Sequence, residues 1–432
     1  MRAGSFSIIE SPSKKGYVRL CAEVVYDDSL YKPETYWFEV PEKYRRYLSD
    51  TGNPWLVCLA PLAMALGEPL HIDRPVDTIL LANVCERMRI WKCWYPRLTM
   101  VAIEAERSDS PVKNERKTCS FFSGGVDAFF TALYYDRTED PLVRVPIDDL
   151  INVWGFDIPL RNVQAHEGIV AAFSKAASDM GKEFVEVATN LRETLLEKKI
   201  NWEYMNVSPA LASVTLALEK RYQKALISSA GGYLVLCPDG TSALLDPLSS
   251  TRDLQVVHAG AAFTRVQKTE YIAPFEVVQK FLHVCFHIQT EKNCGRCIKC
   301  YRTMTTLEIL GYLDRFQTFP KDAFQLTKLA KMFLWESDDV RMTKDVERLA
   351  VARSRQDVAG ALRSSFDHTR LVRRLLLTIK PLRANTVTRQ LYWSLEHKIL
   401  SDSIGGEERY YPIPDDSILA VDESVRFANN FK

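Results

Sequence analysis

Residues 118–135 change hydrophobic period across five positions. Thr118 to Phe122 has the pattern of a short apolar strand and Ala128 to Tyr135 that of a helix. Between them stands Ser123-Gly124-Gly125-Val126-Asp127. Paired glycines let a backbone turn sharply and bring N–H groups against an anion with no Cβ in the way. The helix start adds partial positive charge and unpaired donors. Ser123 can donate its hydroxyl to a phosphate oxygen. Asp127 can accept backbone N–H bonds or help ligate magnesium. The rhythm then repeats: strand patterns at Leu150–Phe156, Glu183–Ala188 and Ala225–Ser229 alternate with helical ones at Val163–Met180 and Pro209–Tyr222. This alternation predicts an α/β fold with a doubly wound parallel sheet, whose ligands bind beyond the carboxyl ends of its strands.

The chain has 432 residues, which implies two or three domains. Residues 1–115 read as an α+β domain, with strands at Tyr17–Tyr26, Thr35–Val40 and Leu98–Glu104 and helices at Asn53–Leu66 and Val76–Trp91. The polar stretch Arg107–Lys117 reads as a linker to a second domain, 116–319. Residues 320–432 read as a helical region with patterns at Ala323–Trp335, Lys344–Arg353, Val358–Arg363 and His368–Ile379. Its segment Arg341–Lys398 carries 13 Lys/Arg against 5 Asp/Glu, or +8. That reads first as a solvated or acid-paired helix face and second as a partner or RNA surface, with little aromatic interleaving for base stacking. The whole chain is only +1, so no global field draws in nucleic acid or an anionic membrane. No run approaches the ~20 apolar residues of a membrane helix, and Met1–Ser13 lacks a signal-peptide pattern. A cytoplasmic location is the default expectation.

Ten cysteines in such a chain argue for thiols or metal ligands rather than disulfides. Cys21, Cys58, Cys85, Cys93, Cys119 and Cys237 are scattered and read as small apolar residues. Cys285, Cys294, Cys297 and Cys300 are clustered, the last three at two-residue gaps around Gly295. Four thiolates close a tetrahedral zinc site and leave no position for water, so the metal is structural. An iron–sulfur cluster takes the same four ligands. His283 and His287 flank Cys285; either can replace it as a ligand, but four sulfurs suffice, so both read as satisfied polar or packing residues.

Ser123 to Asp127 resembles the PP-loop of N-type ATP pyrophosphatases, which split ATP between the α and β phosphates. The motif usually ends in Ser, and this chain has Ala128. The A-type phosphate-loop spacing of γ-cleaving NTPases is absent. Together with the downstream C-x8-C-G-x-C-x2-C cluster, the loop resembles the 7-cyano-7-deazaguanine synthase family of queuosine and related deazapurine pathways. The resemblance covers about Lys117 to Leu313. It implies an ATP- and Mg2+-dependent ligase with a structural zinc. A substrate carboxylate or amide attacks the α-phosphorus, pyrophosphate leaves, and a nitrogen nucleophile displaces AMP. Ser123, Gly124, Gly125, Val126, Asp127 and Ala128 are then the ATP contacts. The family's S-G-Y-P-D-C substrate segment is replaced by Ile227–Gly232 and Leu244–Leu248, so the acceptor differs. Ser228, Ser229 and Asp246 are the candidate substrate residues, with Ser249, Ser250 and Thr251 beside them. Asp127, His258, Arg265 and Lys268 are the candidate catalytic groups. The expected partner is a deazapurine-like or carboxylated small molecule or a partner protein, with a homodimer as a further option and neither nucleic acid nor membrane. Two alternatives remain: an ATP-dependent tRNA-thiolation type of enzyme, and a non-catalytic nucleotide-binding relative.

Overall fold

The computed structural model describes residues 1–406 except 234–237, 286, 288–289, 336, 384–386 and 402. Through residue 262 the order is β1 (Arg2–Glu10), β2 (Tyr17–Val25), β3 (Glu34–Pro41), α1 (Asn53–Leu66), β4 (Leu70–Asp77), α2 (Thr78–Trp94), β5 (Ile103–Ser108), β6 (Lys117–Phe121), α3 (Val126–Arg137), β7 (Asp149–Trp154), α4 (Val163–Asp179), β8 (Glu183–Thr189), α5 (Leu195–Lys199), α6 (Val207–Ala217), β9 (Tyr222–Ser228) and β10 (Gln255–Ala259). All ten strands lie in one sheet, in the order β10-β9-β6-β7-β8-β3-β2-β1-β4-β5. From β10 to β8 the neighbours are parallel. From β8 through β3 and β2 to β1 they are antiparallel, and β1-β4-β5 is parallel again.

Strand addition reverses at β6, which has β7 on one side and β9 on the other. Cys119, Ser120 and Phe121 are buried, as a strand flanked on both sides requires. The sheet therefore places the Ser123 loop at a switch point, beyond the carboxyl end of a central strand.

The first 115 residues do not stand apart. Residues 1–123 and 127–262 form one compact unit, and 124–126 with 263–406 form the other. One core runs from Leu20, Phe38, Trp55 and Leu62 to Ile151, Val185, Val214 and Ile227. The polar stretch at 107–117 is a surface crossing between β5 and β6 rather than a linker. The Val112 and Glu115 amides donate to Asp253 Oδ2 at 2.7 Å and the Lys220 carbonyl at 3.1 Å. Helix α1 is buried over nearly its whole circumference, begins with Pro54 in its first turn and ends at Gly67 with φ +72°. Leu98–Glu104 alternates like a strand, yet pairing starts only at Ile103. The Leu98 and Thr99 amides instead close on Tyr95 and Met64, which turns the chain out of α2.

Helix α6 ends at Ala217, short of the expected Tyr222, because Tyr222 begins β9. Just past it sits Glu219, 2% exposed, accepting from Ser49 Oγ, from Thr51 Oγ1 at 2.6 Å and from Asn53 Nδ2 at 2.8 Å. Burial raises its pKa, and the Ser49, Thr51 and Asn53 bonds offset part of that. A carboxyl with a raised folded pKa stabilises fully below its unfolded value, and that contribution is lost as pH rises through the folded value. Urea midpoints should therefore favour wild type over Glu219→Gln more at pH 5 than at pH 8. The reverse trend would show that the charged form is the stabilising one.

The second unit comprises α7 (Arg265–Ile272), α8 (Glu276–Phe281), α9 (Ile298–Ile309), α10 (Leu326–Leu329), α11 (Ser337–Ala352), α12 (Gln356–Ile379) and α13 (Arg389–Leu400). Ala323–Trp335 forms only the short α10. Val358–Arg363 and His368–Ile379 are one continuous helix, α12. Several basic residues there meet acidic neighbours: Arg363 with Glu347 at 2.7 Å, Arg370 with Asp367 at 2.9 Å and Arg355 with Asp357 at 3.0 Å. Among the described residues no helix is long and apolar enough to cross a membrane.

Candidate functional site

The Sγ atoms of Cys285, Cys294, Cys297 and Cys300 lie within 4.8 Å of one another. A tetrahedron with Zn–S bonds of ~2.3 Å sets its sulfurs ~3.8 Å apart, and Cys294 and Cys300 are 3.9 Å apart. All four are free thiols. Local folding explains the geometry. Cys297 caps α9 and accepts the Cys300 amide at 3.4 Å, and Cys294 Sγ accepts the Arg296 and Cys297 amides at 3.4 and 3.3 Å. Gly295 holds φ +67°, and a Cβ there would meet Ala323 Cβ at 2.9 Å, so only glycine makes this turn. Hydrogen bonds from Cys285, then Cys297 and Cys300, hold Cys294 well below the ordinary thiol pKa. Cys297 and Cys300 are pushed the other way by their neighbours in the cluster, so it is the spacing of the four sulfurs that suits a metal such as zinc. Of the flanking histidines, His283 is buried. Of the scattered cysteines, Cys21, Cys58 and Cys119 are buried, Cys85 is partly so and Cys93 is exposed; Cys237 lies outside the described residues.

At the other motif, β6 ends at Phe121 and α3 begins at Val126. Gly124 has φ +71°, a conformation open to glycine at little cost. Ser123 is exposed, Gly124 and Val126 are buried, and Gly125 and Asp127 are partly exposed. Asp127 lies in the first turn of α3, where its charge suits the helix dipole. Ala128 is buried. Beneath the loop, Phe122 packs edge-on against Phe129 and Phe173. Asn152 Nδ2 donates to the Phe122 carbonyl at 2.9 Å.

Among the acceptor candidates, the fold joins two. His258 at the end of β10 and Asp246 share a 2.7 Å bond from Nδ1 to Oδ2, with both side chains buried. Asp246 Oδ1 accepts the Ser242 amide at 3.2 Å. Among the described residues the one hydrogen bond of the His258 ring is that of Nδ1 to Asp246. Asp246 thus grips the histidine rather than projecting alone. The serines are occupied within the fold. Ser228 donates to Thr131 on α3 at 2.9 Å, Ser229 to the Gly231 carbonyl, and Ser249 accepts from Arg87. Ser250 and Thr251 hydroxyls accept the Val256 and Leu254 amides at 2.9 Å each.

Arg87 is a residue that the sequence reading did not single out. It lies on the buried stripe of α2 with Leu80, Val84, Met88 and Trp91, and its Nη2 donates to the Leu245 carbonyl at 2.7 Å. Burial lowers its pKa to about 10, opposed by Asp246. It clamps the Asp246 segment onto α2. Arg265 and Lys268 lie on α7 in the second unit. Arg265 Nη1 is 3.4 Å from Met342 Sδ, and Lys268 is buried. No known protein family, curated protein or solved structure matches this chain.

Proposed function

We propose that the chain is an ATP-dependent ligase of the PP-loop type. It cleaves ATP to AMP and pyrophosphate, adenylates a carboxylate or amide, and passes that group to a nitrogen nucleophile. The observation that carries the reading is the position of the loop. Ser123–Asp127 leaves a central parallel strand at the point where strand order reverses and opens a twelve-residue helix. Unpaired N–H groups at such a helix start favour phosphate. The Gly125 amide and Ser123 hydroxyl are the proposed phosphate donors, and Asp127 is the proposed magnesium partner. Charge neutralisation and positioning supply most of the catalysis of such a step.

His258 is the proposed base. With Nδ1 held by Asp246, its Nε2 is free to take the proton of the attacking nitrogen as the C–N bond forms and the bond to AMP breaks. A positioned base contributes roughly 10²–10⁴ in rate. His258→Gln should lower amide formation by about that factor while leaving ATP–pyrophosphate exchange intact, because exchange reports only the first half-reaction. Equal loss of both would remove His258 from the nitrogen-transfer step. The acceptor is proposed as a deazapurine-like or other carboxylated molecule, free or on a protein. Arg265 and Lys268 are assigned no step. Pyrophosphate release tests the whole reading: its absence with every acceptor favours a nucleotide-binding protein without catalysis.

A further inference from the structure

The Gly124 carbonyl has a specific partner. It accepts the His283 amide at 2.8 Å, and residues 124–126 pack with the second unit, to which His283 belongs. His283 stands two residues before Cys285. The segment that carries it is pinned by one side chain, Asn293, which is 2% exposed and immediately precedes Cys294. Asn293 Oδ1 accepts the Val284 amide at 2.8 Å. Its Nδ2 donates to the Leu282 carbonyl and to Thr318 Oγ1, both at 2.9 Å. Thr318 Oγ1 in turn donates to the Leu282 carbonyl at 2.7 Å, and the Asn293 amide donates to the Thr318 carbonyl at 3.0 Å. Both donors and the acceptor of the amide are used. Asn293 therefore joins the two arms that bear Cys285 and Cys294 and brackets His283 from both sides.

A trans peptide is planar, with its C=O and N–H pointing in opposite directions, and the chain has no cis peptide bond among its described residues. Tying the Gly124 carbonyl to His283 thus turns the Gly125 N–H to the side away from His283. A glycine pair has little steric resistance to a peptide flip, so the direction of that N–H depends on the His283 bond.

We propose that Asn293 and the four-cysteine centre together lock the Gly124–Gly125 peptide, so that the anion-binding shape of the loop depends on an occupied metal centre. The proposal rests on the reading of this loop as a phosphate site. Asn293 is a positioning residue: it acts through His283 and touches no phosphate itself.

The test uses the full chain, with inorganic pyrophosphate as the anion probe. In Asn293→Ala, metal content should stay near that of wild type. Pyrophosphate affinity should fall about tenfold or more, and deuterium exchange at the His283 amide should speed up. Exchange within α12 should not change. If Asn293→Ala does not fold, Thr318→Val, which removes the hydroxyl bonded to Asn293 Nδ2 and the Leu282 carbonyl, gives the second measurement, with faster exchange at His283 than in α12. A metal-bearing Asn293→Ala with wild-type exchange at His283 and wild-type pyrophosphate affinity would overturn the proposal, as would a chelated protein whose loop is unchanged. Wild type that does not bind pyrophosphate would defeat the phosphate reading instead, and exchange at His283 would still decide the lock.

Discussion

Cys297→Ser is expected to strip the protein of its metal and unfold the second unit. A structural zinc contributes on the order of 10 kcal/mol to the fold it closes, comparable to the ~5–15 kcal/mol net stability of an entire domain. Cys297 is also the cap of α9, and Ile298, Tyr301, Met304 and Leu307 of that helix are all buried. Losing one thiolate therefore opens the metal site and frees a helix that the second unit packs around. Elemental analysis should fall from about one zinc per chain, the content that four thiolates imply, to near zero. Limited proteolysis should then cut within 263–406 first, since that segment carries the four cysteines and α9. A well-folded wild-type chain with neither zinc nor iron would rule out the metal centre.

Asp127→Ala and Ser123→Ala are expected to abolish ATP-dependent pyrophosphate release without unfolding the chain. Ser123 is exposed and Asp127 partly so, so neither truncation opens a core cavity, and exposed substitutions usually cost within about 0.5 kcal/mol. The loss should then appear in activity with the melting temperature nearly unchanged. Ala128→Ser is the converse variant. A hydroxyl that reaches phosphate should tighten ATP binding by about 1 kcal/mol. Ala128 is buried, however; a hydroxyl that finds no partner would lower stability instead. Retention of full activity in both Ser123→Ala and Asp127→Ala would remove the loop from the reaction.

Much of this was readable from hydrophobic period. The strands at 17–25 and 34–41, the helices at 53–66 and 163–179, and the strand–loop–helix at 117–137 follow from apolar spacing and glycine stops. What period misses is partnership. β1 and β4 carry charged residues and little alternation, yet pair with each other and with β2 and β5. A polar crossing such as 107–117 has the composition of a linker whether or not the strands on either side share a sheet. Arg87 was legible in principle, as a charge on the buried stripe of α2. Asp246 and His258 were both visible as polar residues in apolar runs, but their contact is a tertiary event. Asn293 gave no signal, because its role consists of bonds to residues 9 to 25 positions away. The cysteine cluster is the opposite case, since three of its ligands lie on one local turn.

Cleavage of ATP between the α and β phosphates is what separates the proposed reaction from that of a γ-cleaving NTPase. Phosphorus NMR of the full chain with ATP, Mg2+, ammonium and a panel of carboxylated deazapurines and purines identifies the products directly. AMP and pyrophosphate are expected in equal amounts with at least one acceptor. ADP and orthophosphate, or no ATP consumed across the panel, would contradict the proposed reaction.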